Sequence, residues 1–323
     1  MIAIWALMSV GLAYGLYEIF GDDNGDNDPA EGDDELTGPL GNDGIDGLGG
    51  DDIIGDDIGD NDPTEGDDEL TGTLGNDRID GLGGDDIISA FDGEDTLLGG
   101  DGDDWLQAGP GDDYVRGMEG NDFIQGGFGD DELLGNAGHD WLEGNAGDDV
   151  LSGVGGDDLL DGGAGSDTLS GGSGSDLLYG QWGDDSLAGG EGDDRLLGSQ
   201  GNDTLMGNEG NDVLDAFTGV DQLDGGEGDD ALLFDLSDTA TGGAGADWFY
   251  LFVDEGETGE GTITDFDPDE DALIIQWLGS APPPSLSQAV TADGLEIALD
   301  SGGTLLLPGI YTPLESSQYV IVT

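Results

Sequence analysis

The sequence predicts an all-β fold: a solenoid of parallel strands in which two nine-residue repeats make one coil, closed at its C-terminal end by an antiparallel β cap. Three observations predict it. Aspartates stand nine residues apart without a slip at Asp68, Asp77, Asp86, Asp95, Asp104, Asp113, Asp122, Asp131, Asp140, Asp149, Asp158, Asp167, Asp176, Asp185, Asp194, Asp203, Asp212, Asp221 and Asp230. A glycine lies two residues before each one, as in Gly66-Asp67-Asp68, and Leu, Ile or Val lies two residues after, as in Leu70, Ile79 and Val115. Most units also open on glycine, so the unit reads G-G-x-G-x-D-x-U-x, with U a large aliphatic.

Residues 1–20 run from Met1 to Phe20, are apolar, and are interrupted only by Glu18. They are just long enough to cross a bilayer. They lack the Lys or Arg and the small-residue cleavage site of an ordinary export leader. Both an uncleaved anchor and an atypical signal peptide fit. Residues 21–31 form an acidic linker. Residues 32–64 hold a short repeat block, with Asp34, Asp43 and Asp52 in phase, followed by an insertion around Asp56–Asp62. The insertion is seven residues long: Glu31-Gly32-Asp33-Asp34-Glu35-Leu36-Thr37-Gly38 returns as Glu65-Gly66-Asp67-Asp68-Glu69-Leu70-Thr71-Gly72, three repeats plus seven residues further on. This block is expected to start the solenoid as a separate or offset piece.

Residues 65–247 form the main array. In each unit the glycine-rich half, such as Gly162-Gly163-Ala164-Gly165-Ser166-Asp167, takes turn conformations that a β-carbon would obstruct. The remaining triplet, such as Thr168-Leu169-Ser170, is a three-residue strand with its middle side chain inward. Two units close one coil. The aliphatics stack in single file, and aspartate carboxylates and turn carbonyls crowd together as an all-oxygen cage suited to Ca²⁺. Zinc is a poor match, because there is no Cys and one His, His139. One buried aliphatic per nine ordered residues falls short of the entropy of ordering them. The 77 acidic residues against three basic ones leave a net charge of −74. Calcium is therefore expected to drive folding, and the calcium-free chain is expected to be disordered.

Residues 248–323 read as the cap. Trp248 to Val253, Asp271 to Leu278, Leu295 to Leu299 and Thr304 to Leu307 have strand patterning, and Ser301-Gly302-Gly303 marks a hairpin turn. Asp265, Asp267, Asp269 and Asp271 alternate as in an EF-hand loop, but the central Gly and final Glu of that loop are missing.

The nonapeptides resemble the RTX, or haemolysin-type calcium-binding, repeats of bacterial exported proteins, over about residues 32–250. The resemblance implies a right-handed parallel β-roll, with Ca²⁺ held by the sixth-position aspartates and neighbouring carbonyls. The ligand set it implies is Asp34, Asp43 and Asp52, together with every aspartate from Asp68 to Asp230 in the series above except Asp95 and Asp221. Those two are set aside because Ala90-Phe91 and Ala216-Phe217 replace the opening glycine pair. The resemblance also implies type I secretion, with the export signal in the C-terminal region.

Catalytic ingredients are scarce: one His, no Cys, no Lys, and Arg78, Arg116 and Arg195 as the basic residues. There is no H-E-x-x-H for a zinc protease, and the charge excludes nucleic acid. The outward positions are more individual. One face reads Glu69, Ile87, Trp105, Phe123, Trp141, Leu159, Leu177, Arg195, Val213, Ala231, with six consecutive large apolar residues from Ile87 to Leu177. The opposite face, from Arg78 through Thr96 and Tyr114 to Gln222, is mostly polar. An apolar stripe of this size marks a contact surface. It is covered by the N-terminal block, the cap or a second copy of the chain, or it meets an external ligand such as a polysaccharide.

The expected function is that of a secreted, extracellular or surface-anchored calcium-binding protein, not an enzyme, with a structural or adhesive role. Membrane contact is expected only through residues 1–20. The alternative is a secretion and folding module for a separately encoded exported enzyme or toxin. An ice-binding face would need a regular Thr/Asn array, which the irregular series Glu65, Leu74, Gly83, Asp92 does not supply.

Overall fold

The structure, a computed structural model, describes residues 66–254, 258–280, 285–299, 302–316 and 318–322, with three short strands before them, Glu35–Leu36, Gly44–Asp46 and Ile53–Ile54. Residues 1–31, the aspartates Asp34, Asp43 and Asp52, the insertion around Asp56–Asp62 and Ser301 lie outside the described residues.

Among the described residues there are two sheets, of sixteen and fourteen strands, and successive strands alternate between them up to Ala272–Trp277. Over that stretch each strand pairs in parallel with the strand one coil on, and the register gives the coil length directly. Trp105 pairs with Phe123 and Phe123 with Trp141, each two repeats further along the chain. Gly44 pairs with Glu69 and Ile53 with Arg78, so these short strands enter the same two sheets with seven extra residues between partners.

The strands are longer than the repeat suggested. In the main array three-residue strands occur only at Glu69–Thr71, Arg78–Asp80 and Ile87–Ser89, as in Gly44–Asp46 before it. From Thr96–Asp101 to Gln222–Glu227 nearly all are six residues long and take in the opening glycine pair. The turn shrinks to Gly-x-Asp. The reason is steric. The first glycine of the pair faces inward, where a side chain would strike the turn aspartate; the second keeps its ladder pairing at positive φ, as at Gly127 (φ +131) beside Asn145.

The interior is the expected file of aliphatics, among them Ile88, Leu106, Ile124, Leu142 and Leu160, all fully buried. Ala90, Ala108 and Ala216 fill the inward glycine position in three units. Near the end, Phe234, Phe249 and Phe266 pack edge-on, with ring centroids 6.4 and 5.9 Å apart, and replace the narrow glycine-lined core.

The C-terminal strands fall at Trp248–Val253, Ala272–Trp277, Leu295–Leu299 and Thr304–Leu307. The cap is mixed, not wholly antiparallel. Trp248–Val253, Ala272–Trp277 and Tyr319–Val322 continue one sheet in parallel, and Glu260–Ile263 joins Thr304–Leu307 in parallel in the other. Only Leu286–Val290, Leu295–Leu299 and Thr304–Leu307 pair antiparallel. The last coil offers a parallel edge, which the following strands extend before a meander covers it.

Candidate metal centres

Each turn brings one aspartate between two coils. At Asp149 the chain enters through Gly147 (φ +145), where a β-carbon would overlap the carbonyl of Gly129 in the preceding coil. The Asp131 amide donates to Oδ1 of Asp149 at 2.8 Å, and the Asp149 amide donates to Oδ1 of Asp167 at 2.8 Å. The same bond recurs down both edges of the roll, so the aspartates form two continuous ladders.

The second oxygen behaves differently. From Asp86 to Asp230, every ladder aspartate has Oδ2 buried and without a hydrogen-bond donor. Except before Asp95, Asp113 and Asp221, where Ala90, Ala108 and Ala216 stand, it faces the opening glycine of its own unit, and in several units a backbone carbonyl of the next coil enters the same space. Beside Gly144 lie Asp149 Oδ2 and the Gly162 carbonyl; beside Gly99 lie Asp104 Oδ2 and the Gly117 carbonyl; beside Gly180 lie Asp185 Oδ2 and the Gly198 carbonyl. A β-carbon at any of these glycines would fill the space. An unpaired buried carboxylate oxygen costs several kcal/mol. Two converging acceptors with no donor suit a hard cation held by oxygen.

Burial is the main cause that lifts the ladder carboxyls above the usual range; the amide bond to Oδ1 partly opposes it, and aspartates of neighbouring coils add to it. Asp131, Asp185 and Asp194 are raised to about 7, and Asp149 and Asp167 to about 6.

The ladder ends are closed by the chain itself. The Thr73 amide donates to Asp77 Oδ2 at 2.6 Å, Asp235 to Asp238 Oδ2 at 2.8 Å and Asp267 to Asp271 Oδ2 at 2.7 Å. Asp68 is only half-buried, and its amide donates to Asp86 Oδ1.

Asp95 and Asp221, set aside on sequence, occupy the same position as their neighbours. Their Oδ1 atoms accept from Asp77 and Asp203, each at 2.7 Å, and their Oδ2 atoms lack a donor. The turns survive because Ala90 and Ala216 fit the inward position, and Phe91 (φ +80) and Phe217 (φ +67) adopt the required backbone.

Three further rungs were not predicted as ligands. Asp238, Asp247 and Asp271 accept from Asp221, Asp230 and Asp247 at 2.9, 3.0 and 3.0 Å. The glycine pattern before Asp247 was the signal for that rung. Irregular spacings from the preceding rungs hid the other two. Asp271 is thus a ladder member, and Asp265 accepts from the Gly242 and Gly243 amides, so the alternating acids serve the backbone and do not form an EF-hand loop. Among the described residues no three acidic or His side chains converge on one point, so carbonyls must complete any metal shell.

The outward stripe is in register from Ile87 through Trp105, Phe123, Trp141 and Leu159 to Leu177. The rings of Trp105, Phe123 and Trp141 lie 4.6 and 5.1 Å apart, the coil spacing. The cap extends the sheets and leaves the stripe open: Trp105 is 53% exposed and Trp141 45%.

A parallel solenoid with an acidic ladder in each row of turns defines a class of calcium-dependent repeat folds. The family model for the RTX calcium-binding nonapeptide repeat matches residues 30–54, 62–97, 89–124, 125–160, 161–196, 197–232 and 234–251. The chain belongs to this family, whose repeats bind calcium. No curated protein matches it. Among solved structures it is similar to the AlgE6R3 subunit of the Azotobacter vinelandii mannuronan C5-epimerase, at 30% identity over 43% of this chain and 78% of that one, with a TM-score of 0.25. It is also similar to the extracellular lipase LipA of Serratia marcescens, at 20% identity over 64% of this chain and 42% of the lipase, with a TM-score of 0.21.

Proposed function

We propose that this is an exported, non-enzymatic protein that folds on binding several calcium ions and has a structural or adhesive role at or outside the cell surface. The observation that carries the reading is the row of buried Oδ2 atoms from Asp86 to Asp230 without a donor, with a backbone carbonyl of the next coil beside those of Asp86, Asp104, Asp149, Asp158, Asp185, Asp212 and Asp230. These Oδ2 atoms and the facing carbonyls would hold the ions. Calcium would supply the positive charge that a chain of net charge −74 lacks. Asp77, Asp238 and Asp271, whose Oδ2 atoms already accept an amide, would hold none through that atom. The stripe from Ile87 to Leu177 supports the surface role, since Ile87, Trp105 and Trp141 are exposed on it and Phe123, Leu159 and Leu177 half-buried, and an apolar row of this kind in water favours contact.

The test is circular dichroism of the full chain during titration with calcium and, separately, magnesium. Calcium brings a cooperative gain of β signal. Magnesium at equal concentration does not, because it demands a small octahedral site and gives up its water reluctantly. A folded spectrum in excess chelator at pH 8 would refute the reading.

A further inference from the structure

The sheet that carries the aromatic stripe also holds a hollow of about 270 Å³, lined by Glu143, Asn145, Asp161, Gly163, Gln181 and Trp182. Three strands build it: Trp141–Ala146, Leu159–Ala164 and Leu177–Trp182. Their register places Glu143 beside Asp161, and Gly163 between Asn145 and Gln181. Gly163 is the gap in that column. Its φ is +103, and a β-carbon there would strike the Asn145 carbonyl, so the backbone itself keeps the gap open. Ala146 and Ala164 precede Trp182 in the next column, so no bulky neighbour flanks the indole on that side, and it is 60% exposed.

The polar wall is ordered. Gln181 Nε2 donates to Asp161 Oδ2 at 3.2 Å, and Gln125 Nε2 donates to Glu143 Oε2 at 2.7 Å. Each carboxylate is thus held by an amide through one oxygen and keeps a second. Burial moves the Asp161 carboxyl above its usual range.

We propose that this hollow is a binding site for a neutral carbohydrate, with the apolar face of a pyranose ring against Trp182 and its hydroxyls on Glu143, Asn145, Asp161 and Gln181. A sugar ring has C–H faces and an edge of groups that both donate and accept. The hollow offers a flat aromatic wall, two carboxylates that accept and two amides that do both. This mix of an apolar wall with a few fixed polar groups is what a small-molecule site needs. Anions are opposed by both carboxylates. A small ammonium ion would use the indole and carboxylates but has no acceptor for the N–H groups that Asn145 and Gln181 keep after donating to the Glu143 carbonyl and to Asp161. Three strands span two rungs, roughly 10 Å, which is room for about two rings along the roll axis. The proposal rests on the calcium-folded roll, because the hollow exists only where these coils stack.

The test uses the full chain in saturating calcium, after circular dichroism has shown it folded. It is titrated calorimetrically with cellohexaose, xylohexaose, mannohexaose and hexa-N-acetylchitohexaose, and with the chitosan hexamer as the amine probe. At least one neutral hexamer should bind with a Kd of about a millimolar or tighter. Trp182→Ala should weaken it about tenfold, as loss of one stacked aromatic contact would, and Asp161→Asn should weaken it severalfold. Both variants should keep the wild-type calcium midpoint, and Trp105→Ala should keep the sugar affinity. Failure of all four neutral hexamers, equal affinity in Trp182→Ala, or binding of the chitosan hexamer alone would overturn the proposal. A chain that stays unfolded in calcium overturns the functional reading and this site with it, and the spectrum reveals that before any sugar is added.

Discussion

Every described non-glycine residue at positive φ sits at one position of the repeat, the second of the opening pair. These are Leu82, Phe91, Met118, Asn136, Asn145, Val154, Gln181, Ser199, Asn208 and Phe217, with φ between +67 and +87. Asparagine tolerates this region; a β-branched residue does not. Val154 (φ +81) is the most strained by type, and its side chain is 47% exposed, so little burial offsets the strain. Backbone strain of this kind costs about 1–3 kcal/mol. Val154→Gly removes it, against roughly 0.5–1 kcal/mol for the added freedom of the unfolded chain. The variant should be more stable by about 1 kcal/mol and melt about 2–4 °C higher in saturating calcium. A thermal melt that moves down instead would show that the Val154 side chain contributes more than its backbone costs.

At the scale of the strand and turn, each coil is tied to its neighbours in both directions. The ladder aspartate accepts from the preceding coil, and the residue just before it accepts from the following one, as where the Asp103 amide donates to Asp85 Oδ1 at 3.0 Å. These ties lie in the turns, and the aliphatic file lies inside, so neither depends on the outward stripe. Changing Trp105, Phe123 and Trp141 together to Ser should leave the calcium midpoint of folding nearly unchanged while weakening self-association. Sedimentation in saturating calcium measures this, and a variant that no longer folds would mean the rings are buried by another part of the chain. The stripe was legible because stacked positions stand two whole repeats apart, and the file of Leu and Ile was legible for the same reason. Strand length was not. Glycine pairs such as Gly126-Gly127 read as turn residues, yet they lie within the strand Phe123–Phe128, because the inward glycine makes room for the Asp131 carboxylate. The acids near the end were also illegible as a ladder: the 17-residue step from Asp221 to Asp238 and the 24-residue step from Asp247 to Asp271 break the sequence period while the stacking continues.

For the whole molecule, the ladders make calcium and protons competing ligands of one roll. In the calcium-free roll, burial raises Asp95, Asp104 and Asp221 to about 7 and Asp122, Asp158 and Asp176 to about 6. In the unfolded chain the same groups titrate near 3.9. Between about pH 4 and 7 the folded calcium-free roll therefore binds more protons than the unfolded chain, and its stability falls as pH rises through that window. Each group contributes up to roughly 1.4 kcal/mol per pH unit there, in the direction opposite to a carboxylate held by a salt bridge. Protein stripped of calcium by gel filtration should be unfolded at pH 8 and gain β signal on acidification to about pH 5. With calcium the dependence reverses: protons occupy the oxygens the ion needs, so the calcium midpoint should rise as pH falls from 8 to 5. Circular dichroism at the two pH values, with and without added calcium, reads both effects. A calcium-free spectrum that is identical at pH 8 and pH 5 would mean that the buried carboxylates are not what keeps the empty roll from folding.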